Sequence, residues 1–135
     1  MAGPTGGRER RCDDRPLRLS ALVVDDDPTF LALATRILAC LEIEVVGTAA
    51  NAAQALEIVD EARPGMVLVD VRLPDRNGID LAHELAERSW RPRVVLTSSD
   101  SEAGIAVRAR PGGARPPFIA KEELDAETLR HVLSE

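Results

Sequence analysis

Tyrosine is absent from this chain, and the other aromatic residues are one Trp and two Phe. Any core it builds must therefore be aliphatic. Two cysteines, Cys12 and Cys40, are too few for a disulfide framework. No apolar run approaches the roughly 18 residues of a membrane span, so no membrane partner is expected. Met1–Pro16 is polar and lacks an apolar h-region, so it does not read as a secretory signal. The expected compartment is the cytoplasm. Positive charge is in deficit: the net charge is −6, so direct nucleic-acid binding is not expected. No glycine-rich phosphate loop and no internal repeat is present. Lysine is nearly missing too. Of seventeen basic residues only Lys121 is a lysine. An ammonium is a compact point charge on a flexible stem, unlike the planar fork of Arg, so this one invites attention.

What is present suits a single globular domain. The 135 residues are 44% apolar and 30% charged, ordinary values for a folded protein with a real core. Met1–Pro16, rich in Gly, Pro and Arg, reads as a disordered tail. The domain reads as Leu17–Glu135.

Strand and helix signals alternate through the domain. Within Leu17–Val24, the apolar run Ala21-Leu22-Val23-Val24 reads as a first buried strand. It ends in Asp25-Asp26-Asp27-Pro28, with Asp27 as a cap and Pro28 suited to open a helix. Phe30, Leu31, Leu33, Ala34, Ile37, Leu38 and Leu41 then recur at helical spacing. A short strand is predicted over Ile43–Gly47. A helix capped by Asn51 follows and ends at Arg63-Pro64-Gly65. Met66–Val69 is an uninterrupted apolar run, as expected of a strand buried on both faces, and it stops at Asp70. Turn residues Leu73 to Gly78 lead into a third helix that Arg91-Pro92 breaks, with Trp90 as a loop anchor. Val94–Leu96 and Phe118–Ala120 are the fourth and fifth strands, and a last helix is predicted from Asp125 to Leu133.

Between those strands lies the weakest signal. Ser101–Arg110 offers Ala103, Ile105, Ala106 and Val107 as apolar positions, before Pro111-Gly112-Gly113 and Pro116-Pro117 intervene. So little apolar area stabilises a helix poorly. The fourth helix is expected to be short or frayed. Five strands alternating with five helices give an α/β fold, a doubly wound parallel sheet with right-handed crossovers.

In a parallel sheet the carboxyl ends of the strands share one rim, where such folds bind ligands. The polar strand ends are Asp25-Asp26-Asp27, Asp70, Thr97 and Lys121. Crowded carboxylates repel unless a cation sits among them. Mg²⁺ takes one or two carboxylates, waters and phosphate oxygens. A hydroxyl and an ammonium opposite would bind the other oxygens of a phosphoryl group. Asp70 between them is placed to be the nucleophile.

Four stretches resemble the response-regulator receiver domain (CheY-like) of two-component signal transduction. They are Leu22 to Pro28, Val67 to Pro74 with Gly78, Val95 to Ser98, and Phe118 to Lys121. The resemblance as a whole covers about Arg18 to Leu133. The resemblance implies strand order 2-1-3-4-5 and a phosphoryl group taken onto Asp70 from a histidine kinase or phosphotransfer protein. It implies Mg²⁺ held by Asp25, Asp26, Asp70 and the backbone carbonyl of Arg72. Thr97 would hydrogen-bond the phosphoryl group and Lys121 would pair with it. Phe118 would turn inward as Thr97 moves, giving the switch pair Thr97 and Phe118. A phosphorylation-dependent homodimer is a further implied partner state. Such a domain is not an enzyme beyond its own phosphorylation and dephosphorylation.

Two features depart from the family. Phe118 has no hydroxyl, and Glu122 follows Lys121 where the family usually has Pro. Lys121-Glu122-Glu123-Leu124 resembles regulators with LuxR-type output domains. The sequence ends at Glu135, right after the last predicted helix, and reads as either a single-domain regulator or a receiver cut at its boundary; the resemblance implies a downstream protein or a missing C-terminal output domain as the target.

Two other readings compete. Asp25-Asp26-Asp27-Pro28-Thr29 also fits the D-x-D-x-T signature of haloacid-dehalogenase-like phosphatases, with Asp25 as nucleophile and Asp27 as acid–base. The chain is short for that fold, and no acidic pair stands on a strand end downstream of Lys121. A receiver fold used only as a binding module, without phosphorylation, is the other. The complete set Asp25, Asp26, Asp70, Thr97 and Lys121 argues against it.

Overall fold

A computed structural model describes residues 19–99 and 116–134. Its elements run β1 (Ser20–Val24), α1 (Pro28–Cys40), β2 (Glu44–Ala49), α2 (Ala52–Ala62), β3 (Met66–Asp70), α3 (Gly78–Ala86), β4 (Arg93–Ser98), β5 (Phe118–Ala120) and α4 (Ala126–Leu133). The five strands form one sheet in the order β2-β1-β3-β4-β5, and every strand pair is parallel. This is the expected doubly wound, CheY-like arrangement. The expected helix over Ser101–Arg110 and the tail Met1–Pro16 lie outside the described residues.

Alternation along the strands divides the core in two. Leu22, Val24, Val67 and Val69 face Ala55 and Val59 of α2 and Leu81 and Leu85 of α3. Ala21, Val23, Met66 and Leu68 face Phe30, Ala34 and Leu38 of α1 and Leu129 and Leu133 of α4. Strand β3 is therefore covered on both sides, and all five of its residues are buried. An apolar run without polar alternation is what such a position requires.

Each described α-helix starts on a side-chain cap that satisfies an orphan N–H. Asp27 accepts from Thr29 N–H in α1, Asn51 from Gln54 in α2, Asn77 from Ile79 in α3 and Asp125 from Thr128 in α4. At the other end of α4, the Arg93 guanidinium donates to the carbonyls of Val132 and Leu133. Trp90 is the expected loop anchor. Its indole N–H donates to the Pro64 carbonyl at 2.9 Å, and Arg63 lies 5.2 Å over its ring.

Several boundaries differ from the sequence expectation, among them the start of β4 at Arg93 where Val94 was expected. Strand β2 starts at Glu44, not Ile43, because the Ile43 N–H still bonds to the Leu38 carbonyl closing α1. It ends at Ala49, not Gly47. As an edge strand its exposure alternates, so no apolar run marks its end. Strand β4 runs on through Thr97 and Ser98, which are polar but buried. Lys121–Glu123 forms a 3₁₀ turn where the sequence suggested only a connection. Cys40, which reads as a small buried hydrophobe, is half-buried. Among the described residues no helix is long and apolar enough to cross a membrane.

Candidate functional site

The sheet register brings the polar strand ends together. Asp70 pairs with Thr97 across β3 and β4, and Thr97 pairs with Ile119, two residues before Lys121. Asp25 follows β1 directly and is fully buried. Its N–H donates to the Ala49 carbonyl, and its Oδ1 accepts from the Asp27 N–H at 2.9 Å. Those two bonds turn the carboxylate toward the rim. One carboxylate oxygen from each of Asp25, Asp26 and Asp70 lies within 4.8 Å of the others. Asp25 and Asp70 are buried and Asp26 is exposed, so the cluster opens to solvent on one side.

Lys121 answers this charge from the end of β5. Its Nζ lies 2.7 Å from Asp25 Oδ2 and 3.4 Å from Asp70 Oδ2. The closer pair places the ammonium against a fully buried carboxylate. Burial works against the Lys121 ammonium, but the two carboxylates outweigh it and its pKa is raised. It remains charged. Burial pushes the Asp70 carboxyl above its ordinary value. The Arg72 N–H pulls it back, the Asp25 charge pushes it up again, and Lys121 offsets part of that.

Thr97 is fully buried, and its hydroxyl has no hydrogen-bond partner. A buried donor left unmade costs about 1–3 kcal/mol. Such a group beside a carboxylate at a strand end is one that an oxygen-rich ligand would satisfy.

The loop after Asp70 is fixed at both ends. Arg72 N–H donates to Asp70 Oδ1 at 3.1 Å, Val71 N–H donates to the Thr97 carbonyl, and Gly78 N–H closes onto the Val71 carbonyl at 2.7 Å. A Cβ at residue 78 would stand 2.0 Å from the Asp70 carbonyl oxygen. Only glycine permits this approach. Asp75, at the loop tip, accepts from the N–H groups of Ala52 and Ala53 at 2.9 and 3.0 Å. It joins the loop to the first turn of α2, where a negative charge is favoured.

The Ala52 N–H is the main reason the Asp75 pKa is lowered. A carboxyl with a lowered folded pKa contributes stability above its unfolded pKa, roughly 3.9, and loses it as pH falls through the folded value. Asp75→Ala is therefore expected to lower the denaturation midpoint at pH 7 and to have little effect near pH 2. Urea titrations of both proteins at the two pH values check this, and an equal difference at both would contradict it.

The structure brings together Asp25, Asp26, Asp70, Thr97 and Lys121, as the sequence suggested. It ties the Arg72 backbone to Asp70 through its N–H. Phe118 is half-buried against the α2–α3 side of the core, paired with Leu96 in the sheet. Asp27 is exposed and caps α1 through the Thr29 N–H. Sequence reasoning missed two residues. The Phe30 ring centroid lies 4.4 Å from Lys121 Nζ, yet Phe30 read only as one more helical apolar position. Asp75 read only as a turn residue.

Known proteins agree with this geometry. The family model for the response regulator receiver domain matches residues 21–134. The transcriptional regulatory protein PdtaR of Mycobacterium tuberculosis is 32% identical over 114 residues, covering 84% of this chain and 53% of that protein. The DNA-binding response regulator MtrA of Mycolicibacterium smegmatis is 35% identical, with 78% of this chain and 47% of MtrA covered. The chain thus spans about half the length of these curated relatives. The signal receiver domain of NarL from Mycobacterium tuberculosis superposes with a TM-score of 0.74 at 31% identity, covering 88% of this chain and 96% of that one. By its residues, its strand order and these matches, the chain belongs to the response-regulator receiver domain family.

Proposed function

We propose that this domain accepts a phosphoryl group on Asp70, with Mg²⁺ bound beside it, from the phosphohistidine of a histidine kinase or phosphotransfer protein. The observation that carries the reading is the buried Asp25–Asp70 pair bridged by Lys121, beside the unpartnered Thr97 hydroxyl. The donor set fits the metal. Carboxylate oxygens on an open rim, with room for water, are what Mg²⁺ takes. Asp25, Asp26, Asp70 and the Arg72 carbonyl would hold it. When bound, the ion neutralises negative charge shared between the carboxylates and the phosphoryl oxygens.

The residues of the chain have separate tasks. An Asp70 carboxylate oxygen attacks phosphorus, and the phosphorus–nitrogen bond of the donor breaks. The electron pair stays with the departing imidazole, which takes a proton, and Asp70 becomes an acyl phosphate. The Thr97 hydroxyl donates to one phosphoryl oxygen, and Lys121 pairs with another. Movement of Thr97 toward the phosphoryl group frees space for Phe118 to turn inward, and the altered face engages a second copy, a downstream protein or an output domain. The domain turns over no external substrate beyond its own phosphorylation and dephosphorylation.

The test is incubation with a small acyl phosphate donor and Mg²⁺, followed by intact-protein mass measurement. The wild type is expected to gain one phosphoryl group, and neither Asp70→Asn nor metal-free wild type is. Labelling of Asp70→Asn together with its loss in Asp25→Asn would reverse the assignment in favour of the phosphatase reading. Metal binding has its own readout. Mg²⁺ is expected to raise the melting temperature by mass action, with about 2.7 kcal/mol gained at a hundredfold excess over Kd. That gain should shrink as pH falls toward the raised pKa of Asp70, because a protonated carboxyl is a poor ligand. An unchanged melting temperature at roughly 10 mM Mg²⁺, ample for a water-rich site, would remove the metal from the account.

A further inference from the structure

The Lys121 ammonium is enclosed by more than carboxylates. It carries three N–H donors. Asp25 Oδ2 and Asp70 Oδ2 lie at 2.7 and 3.4 Å, and the Phe30 ring centroid lies at 4.4 Å. That distance is well inside the ~6 Å over which a ring face attracts a cation. Phe30 projects from the first turn of α1, and only 6% of it is exposed. Its ring forms part of the core under β1 and β3. One helix thus brings both a charge partner, through the Asp25–Asp27 turn that opens it, and an aromatic wall.

The three partners differ in what they do when the site fills. Asp25 and Asp70 are shared with any cation or phosphoryl group that enters. The ring is neutral, buried and fixed by packing, so it competes for neither. We propose that Phe30 is a positioning residue for Lys121: its ring face holds the ammonium at the site while the carboxylates exchange it for metal and phosphoryl partners. This rests on the phosphoacceptor reading for its consequence, but the ring–ammonium contact itself does not.

The single lysine of the chain makes the contact directly observable. Lysine-selective ¹³C labelling gives one side-chain spin system. In the wild type the ε-methylene protons of Lys121 are expected upfield of free lysine, from the ring current of Phe30, with cross-relaxation to its ring protons. Phe30→Leu keeps an apolar side chain and removes the π face, so it should abolish the upfield shift. Phe30→Trp should retain it. In the labelling assay with a small phosphodonor, Phe30→Leu should slow phosphorylation by about 2- to 30-fold, the range a cation–π contact spans, while Mg²⁺ affinity stays within about twofold. Phe30→Trp should recover most of the rate.

The outcomes separate the two claims. An unshifted Lys121 resonance in the wild type overturns the proposal without any variant, even if Phe30→Leu fails to fold. A shifted resonance with an unchanged rate in Phe30→Leu overturns the positioning role. A shifted resonance in a wild type that takes no label from the donor supports the contact and counts against Asp70 as phosphoacceptor. Equal losses in Phe30→Leu and Phe30→Trp would reduce Phe30 to core packing and overturn the proposal.

Discussion

Lys121→Met is expected to destabilise the metal-free protein by about 3 kcal/mol at pH 7, the lower end of what removing one partner from a buried ion pair costs. The argument is electrostatic. Asp25 is fully buried and Asp70 nearly so, and among the described residues Lys121 is the cation that bridges them. Methionine preserves much of the stem and the contact with Phe30 but leaves two carboxylates facing each other without a counter-charge. Part of the loss should be recoverable in two ways. Acidification protonates Asp70, whose pKa burial already raises. Mg²⁺ should lift the variant more than the wild type, because no ammonium has to give way at Asp25. Chemical denaturation with and without metal measures both effects. A variant as stable as the wild type without metal would mean that the cluster is not frustrated.

Lys121→Arg should be an intermediate case. Its guanidinium restores charge but is broader than an ammonium and cannot act as a point donor in the same box.

Gly78→Ala is expected to cost about 3 kcal/mol, near the upper end for overpacking, and to abolish phosphorylation. The added methyl would stand 2.0 Å from the Asp70 carbonyl oxygen and 2.8 Å from the Val71 Cα. Both neighbours are backbone, so no side chain can rotate away. Relief requires β3 and α3 to separate where Gly78 N–H bonds the Val71 carbonyl, and that movement displaces Asp70 itself. Gly47→Ala is the matched control. There the nearest atom is Ile58 Cγ2 at 3.2 Å, the end of a side chain that can shift, and the cost should stay below about 1 kcal/mol. Thermal melts of the two variants side by side check the contrast, and similar losses in both would contradict the steric argument.

These residues also show what could be read in the chain before its structure. Strand β3 was legible because burial on both faces removes polar alternation, and the carboxylate ending the run then stands out. Asp25, Thr97 and Lys121 were legible for the same reason, each closing a short apolar run. Strand β2 was legible only in its middle. It is an edge strand with a register shift between Ala21 and Leu22 of its partner, so exposure alternates and its limits carry no composition signal. Thr97 and Ser98 were hidden as strand residues because buried polar residues resemble turn residues in sequence.

The contacts of Phe30 and Asp75 were illegible for a different reason. Each acts on a group distant in sequence. Asp75 reaches N–H groups 22 and 23 residues earlier, and Phe30 in α1 meets the residue that follows β5. Helical periodicity explains a phenylalanine at residue 30 fully, and turn chemistry explains an aspartate at residue 75 fully. Only the register of the folded sheet reveals their second use.

The central claim is that the phosphoryl group goes to Asp70 and not to Asp25. Reduction with borohydride traps it most directly, because an acyl phosphate is reduced to an alcohol and converts the aspartate that carried it to homoserine. The protein is phosphorylated with a small donor and Mg²⁺, reduced, digested and sequenced by mass spectrometry. Homoserine at residue 70, with aspartate retained at residue 25, is the expected result; homoserine at residue 25 would contradict the account.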